Sequence, residues 1–410
     1  MQATETTAVP GCLTAASAHS GTRLSSIDVF RGLIMIWMAL DHTRDFFTNL
    51  SFEPESLAQT NLPLFATRWI THFCAPMFFF LAGTGAFLYG QRKSLAELRH
   101  FLWTRGLWLI VLEFTVVGTA WTFQFPWGFF GVIWALGASM LTLALVVRLP
   151  MRWIVYLSIA IIVGHDLLDS VRPQQFGRLA WIGTLFHVRG GIVMPIGIHQ
   201  FVLFPLIPLA AVMAAGYAFG QVYLLDRSKR RKIAGLLGTG LSLAFVILRF
   251  TNFYGNPPAG LGGVSQGDWH LQPTLEKTLI LFFDVEKYPP SLQYPLMTVG
   301  PSLILLAWLD RERTPEGLCA ILTFGRVPMF FYILHLYLIH WLAVLVAVLF
   351  RQPVRWLFHG AIFSDRPPGY GHGLAFVYLM WFMALLILYV PCCWFGDLKQ
   401  RRKEWWLSYL

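Results

Sequence analysis

Residues 25–47, SSIDVFRGLIMIWMALDHTRDFF, decide the fold. They open on Asp28 and Arg31, run through nine uncharged residues from Gly32 to Leu40, and close on Asp41, His42, Arg44 and Asp45. A helix rises about 1.5 Å per residue, so this stretch can cross most of a bilayer core of about 30 Å, with charge at two different depths. Ionisable side chains within a span are costly and face a polar interior, which makes Asp41 and His42 site candidates. Anchoring in the outer headgroup region is the alternative, and position alone leaves both open.

The composition supports the membrane reading. Of 410 residues, 56% are hydrophobic and 13% charged, about half the charged share of a soluble domain. The net charge of +10 does not point to nucleic acid, because Lys and Arg fall in short clusters between apolar spans. Five cysteines (Cys12, Cys74, Cys319, Cys392 and Cys393) form no CxxC pair, so neither a disulfide framework nor a zinc site is expected.

Apolar windows fall near 26–48, 66–90, 101–122, 128–147, 151–168, 200–224, 233–250, 292–309, 324–350 and 374–396. They predict an all-α polytopic membrane protein of about ten transmembrane helices. Basic residues follow every second span, as in Arg92, Lys93, Arg99 and His100, or Arg227 to Lys232. The positive-inside rule then puts both termini in the cytoplasm. Segment 177–199 is apolar but broken by Gly190, Gly191, Pro195 and Gly197; it reads as re-entrant or interfacial, with an eleventh span as the alternative. The expected organisation is a disordered tail at 1–22, one membrane domain at 23–398, and a basic, aromatic tail at 399–410.

This topology assigns depths. Asp41, His42, His72, Glu113, His199, Arg249, His335 and His340 are expected in the outer half of the membrane. Burying polar groups singly is costly, so a shared, water-filled cavity accounts for them, with Arg44 beside His42. The bland readings are a helix-to-helix hydrogen bond for His340, a pair with Arg105 or another base for Glu113, and a turn loosened by Pro76 for His72. Gly83 and Gly85 read as close-packing positions. A carboxylate beside an imidazole fixes its tautomer, so Asp41 is expected to orient His42 as a general base. At the basic end, Arg99 and Arg105 suit a polyphosphate ligand or plain anchoring.

Five strings resemble a known family: RLSSIDVFRGL (23–33), DHTRDFF (41–47), RWITHFCAPMFFFLAGTGAFL (68–88), VEKYPPSLQY (285–294) and FGRVPMFFYILHLYLIH (324–340). Together they look like bacterial relatives of the lysosomal heparan-α-glucosaminide N-acetyltransferase catalytic domain, within the membrane acyltransferases. The resemblance implies acetyl transfer from cytoplasmic acetyl-CoA to a periplasmic or cell-envelope sugar or glycan, in a bacterial inner membrane. It implies His42 as base and His72 as next candidate, with Arg99, Arg105 and Arg31 at the donor. The lysosomal enzyme has its implicated His in the loop after the first helix. Loop 48–65 here has none, which favours direct transfer over an acetyl-His route. No metal is expected, since His335 and His340 are five apart and project about 140° from each other. A homodimer through the last helix is left open. The rival is a proton-coupled transporter using the same His, Asp and Glu residues.

Overall fold

A computed structural model describes residues 25–124, 129–193, 199–257, 265, 267–312, 315–359, 366–402 and 404–409. The expected tail at 1–22, with Cys12, lies outside these, as do Pro195 and Gly197. All ten apolar windows are helices: α1 (Ser25–Phe47), α2 (Leu62–Gly90), α3 (Leu95–Thr122), α4 (Val132–Val146), α5 (Met151–Leu168), α6 (Leu206–Leu224), α7 (Arg227–Thr251), α8 (Gln293–Leu309), α9 (Pro328–Leu349) and α10 (Leu374–Arg401). Among the described residues, seven are long and apolar enough to cross a membrane; α1 has the length but carries charge at both ends, and α4 and α8 are shorter. The protein is all-α and polytopic.

α1 is the central element. Asp28 in its first turn and Arg44 in its last complement the helix dipole. It packs against α9, α10 and the short helix Cys319–Arg326. The last contact is backbone on backbone, because a Cβ at Gly325 would lie 1.7 Å from the Asp28 carbonyl oxygen. α2 packs on α6 in the same manner: a Cβ at Gly83 would lie 1.9 Å from the Met213 oxygen, so Gly83 is a close-packing position. Gly85 is not, since nothing lies within 4 Å of its Cβ site; it walls a cavity instead.

Described residues of segment 177–199 contain no spanning helix. They form the helix Ala180–Phe186, about 10 Å long at 1.5 Å per residue, and strand β1 (Gly190–Val193). β1 pairs antiparallel with β2 (His199–Val202). The hairpin is tied to the start of α4 by the Phe130 amide, which donates to the Phe201 carbonyl at 2.8 Å.

Candidate functional site

Two cavities are stacked along α1. Met38, Asp41, His42, Arg44 and Asp45 wall the larger, of about 800 Å³, and Arg31 and Met35 wall the smaller, of about 460 Å³. Arg31 and Asp41 are ten residues apart, or about 15 Å along the helix. Phe78, Val132 and Tyr332 belong to both linings, so the cavities meet at one seam.

His42 is held by α9. Its Nδ1 lies 2.7 Å from His335 Nε2, and the two rings stack at 5.0 Å. His335 Nδ1 lies 3.0 Å from the Phe331 carbonyl oxygen, which only accepts. With both rings neutral, His335 donates from Nδ1 and accepts at Nε2, so His42 donates from Nδ1 and keeps a free lone pair on Nε2. Trp121 packs edge-on against the His42 ring at 4.9 Å. The orienting group is therefore an imidazole, where the sequence suggested Asp41.

Asp41 is engaged elsewhere. Its carboxylate is ion-paired with Arg44 at 2.7 Å and accepts from Arg68 Nη1 at 2.8 and 3.0 Å. Arg44 also pairs with Asp45 at 2.7 Å, and Arg68 Nε donates to Glu55 at 2.6 Å. Burial alone raises the Glu55 carboxyl pKa, but the neighbouring Arg68 charge outweighs it, with help from His72 and the Arg68 hydrogen bond, and the pKa falls to about 2.

The remaining sequence candidates divide. Glu113 and His199 line the large cavity. Glu113 sits where α3 widens into a π-turn, and its carboxylate accepts the Trp134 amide at 2.8 Å, capping α4. It does not pair with Arg105. His72 lies behind the wall, with Nδ1 3.2 Å from the Trp69 oxygen and Nε2 3.9 Å from Glu55. Pro76 frees the carbonyl of His72, which accepts the Tyr294 hydroxyl at 2.7 Å. Two candidates fall outside the site. Arg249 is fully buried and donates to the carbonyls of Leu281, Phe282, Asp284 and Gly267, capping the helix Leu275–Phe283. His340 is wedged between the Ala120 and Leu357 carbonyls and stacks on Phe123 at 3.7 Å.

Sequence reasoning missed Arg68, Glu55, Arg189 and Lys287, all of which line the large cavity. The available signal was charge in an apolar setting: Arg68 opens one of the quoted strings and Lys287 lies inside another.

The small cavity is basic. Arg31, Arg105, Arg326 and Lys399 line it, and among the described residues no Asp or Glu does. Arg105 lies over the rings of Phe101 at 4.5 Å and Tyr409 at 5.1 Å. Arg105 and Arg326 make no ion pair or hydrogen bond among the described residues. Arg99 is directed away, its Nε donating to the Ala144 carbonyl at 3.1 Å.

A polytopic helical membrane protein enclosing a charged cavity and a basic one, joined at a seam, is the class defined here. Residues 23–247, more than half of the chain, match the family heparan-alpha-glucosaminide N-acetyltransferase, catalytic, and the chain belongs to that family. Membership brings a general expectation of acetyltransferase activity in a multi-pass membrane protein. No curated protein matches the chain significantly.

Proposed function

We propose that this protein moves an acetyl group from acetyl-CoA to an amine or hydroxyl of a sugar or cell-envelope glycan. The setting is a bacterial inner membrane, with the donor entering from the cytoplasmic side and the acceptor from the periplasmic side. The observation that carries this reading is the seam at Phe78, Val132 and Tyr332. A donor seated in the basic cavity can present its acyl end to the cavity lined by His42. The residues there suit the donor: Arg105 and Arg326 make no ion pair or hydrogen bond among the described residues, and guanidinium forks bind phosphate oxygens. Arg31 is committed in part to Asp28, at 3.2 Å.

His42 Nε2, free of a proton because His335 receives the proton on Nδ1, is the base. It takes a proton from the acceptor nitrogen or oxygen as that atom bonds to the thioester carbonyl carbon. The carbon–sulfur bond breaks, and the imidazolium returns the proton to the departing thiolate. His335 is a positioning residue, as it acts through His42.

The test uses detergent-purified full-length protein. Wild type is expected to bind acetyl-CoA by calorimetry and to acetylate an amino sugar. His42→Ala is expected to stay monodisperse and bind acetyl-CoA while transfer falls about 10²–10⁴-fold. Near-normal transfer in that variant removes His42 from the mechanism, and absence of acetyl-CoA binding by folded wild type overturns the reading.

A further inference from the structure

The small cavity is walled in part by the chain beyond α10. That helix ends at Arg401, and a short 3₁₀ turn (Trp405–Ser408) follows, which brings Tyr409 into the cavity lining. Much of the segment is exposed, with Trp405 at 76% and Trp406 at 40%. A segment with so much open surface stays in place only where something ties it down. Two side chains do so. Leu407, 3% exposed, belongs to the hydrophobic core. The Tyr409 ring lies edge-on to Trp108 at 6.2 Å and 5.1 Å from the guanidinium carbon of Arg105. Arg105 also lies over Phe101, four residues earlier on α3, at 4.5 Å, and Phe101 in turn stacks on Tyr89 at 4.1 Å. Among the described residues, rings hold Arg105, and no carboxylate or carbonyl does.

We infer that residues 404–409 complete the donor cavity, with Tyr409 as the positioning residue that holds the Arg105 guanidinium ready for a phosphate group. The inference rests on the acetyl-CoA reading above and deepens it. A carboxylate would occupy the guanidinium fork and cancel its charge. An aromatic ring attracts the cation through its quadrupole and takes none of its five N–H donors. A long side chain held in advance also loses less freedom when the ligand arrives, so the ring favours binding without touching the donor. Phe101 comes from the same helix as Arg105, whereas Tyr409 is delivered by a separate segment. The grip on Arg105 therefore depends on that segment being docked, and by linkage a bound donor favours docking in return. Residues 404–409 lie outside 23–247, the stretch that matches the family. The plainer reading is that Tyr409 only fills space beside Trp108, in which case Arg105 is indifferent to it.

The test is acetyl-CoA binding by calorimetry to full-length protein. Tyr409→Leu is expected to raise Kd about fivefold, the scale of one cation–π contact, and Tyr409→Phe to hold it within about twofold. Leu407→Ala, whose side chain is not part of the cavity lining, is expected to weaken binding as Tyr409→Leu does, by loosening the segment. Made in an Arg105→Ala protein, Tyr409→Leu is expected to add less than about twofold, because its effect runs through Arg105. Unchanged or tighter binding by Tyr409→Leu overturns the inference, and so does an equal loss in the Arg105→Ala background. A second readout follows the segment itself. Acetyl-CoA is expected to slow tryptic cleavage after Arg401 and Arg402, both exposed, in wild type and not in Tyr409→Leu; equal protection of the two proteins overturns the inference. Wild type that binds acetyl-CoA through Tyr409 and acetylates no amino sugar keeps this role and removes the acetyl-transfer reading. Folded wild type that binds no acetyl-CoA removes both.

Discussion

The two cavities share a wall and treat charge in opposite ways. In the larger, three carboxylates and two guanidiniums form a closed network around Asp41, and His42 lies 2.7 Å from the His335 imidazole. In the smaller, Arg105 and Arg326 line the space with no ion pair among the described residues, while Arg31 pairs with Asp28 at 3.2 Å. Closed pairing fixes side chains in a polar interior and leaves the free lone pair of His42 as the basic atom on offer. Unpaired cations are tolerable where an anionic ligand completes them. On the proposed function, a proton-transfer site and a polyanion site sit about 15 Å apart on one helix, and the first is the one whose carboxylates and guanidiniums are mutually paired.

The sharpest way to break the comparison is to close the seam. Val132, the first residue of α4, lines both cavities together with Phe78 and Tyr332. Val132→Trp is expected to lower kcat for acetyl transfer by more than about tenfold, as misplacement of reacting groups does, while the Kd for acetyl-CoA stays within about threefold. Undiminished transfer would mean that the cavities work independently. A smaller effect separates two arginines. Arg105→Ala is expected to weaken acetyl-CoA binding by about tenfold in calorimetry. Arg99→Ala, whose guanidinium bonds the Ala144 carbonyl, is expected to change it by less than about twofold; the reverse ranking would place the donor's phosphates outside the small cavity.

Much of this was legible in the sequence. Each of the ten hydropathy windows holds a helix, seven of them long and apolar enough to span, because a run that must satisfy its backbone in lipid has little choice but to form one. The α1 string exposed His42. What the sequence lacked was azimuth. Topology suggests a residue's depth, but which way it faces follows from packing, so Arg249 and His340, expected in the outer half, serve a helix end and carbonyls. The partner of His42 comes from 293 positions away, and adjacency along the chain favoured Asp41 instead. Arg68 and Glu55, 13 residues apart on a helix and a loop, offered no periodic signal, since their pairing depends on the loop folding back over the helix.

The smallest effect concerns that loop. Glu55 has an ordinary carboxyl pKa of 4.5 when unperturbed and about 2 when paired with Arg68 in the fold. A depressed folded pKa contributes stability that is fully present above about pH 4.5 and is lost as the pH falls toward 2. Wild type is therefore expected to have a higher thermal midpoint than Glu55→Gln at pH 7, with the gap shrinking steadily between pH 4.5 and pH 3. The loss is modest because Arg68 keeps its two hydrogen bonds to Asp41. A gap that stays constant through that window would mean the Glu55 carboxylate stabilises the closed network by its shape rather than its charge. The distinction between a cavity that consumes its countercharges and one that leaves them open would then lose one of its three carboxylates.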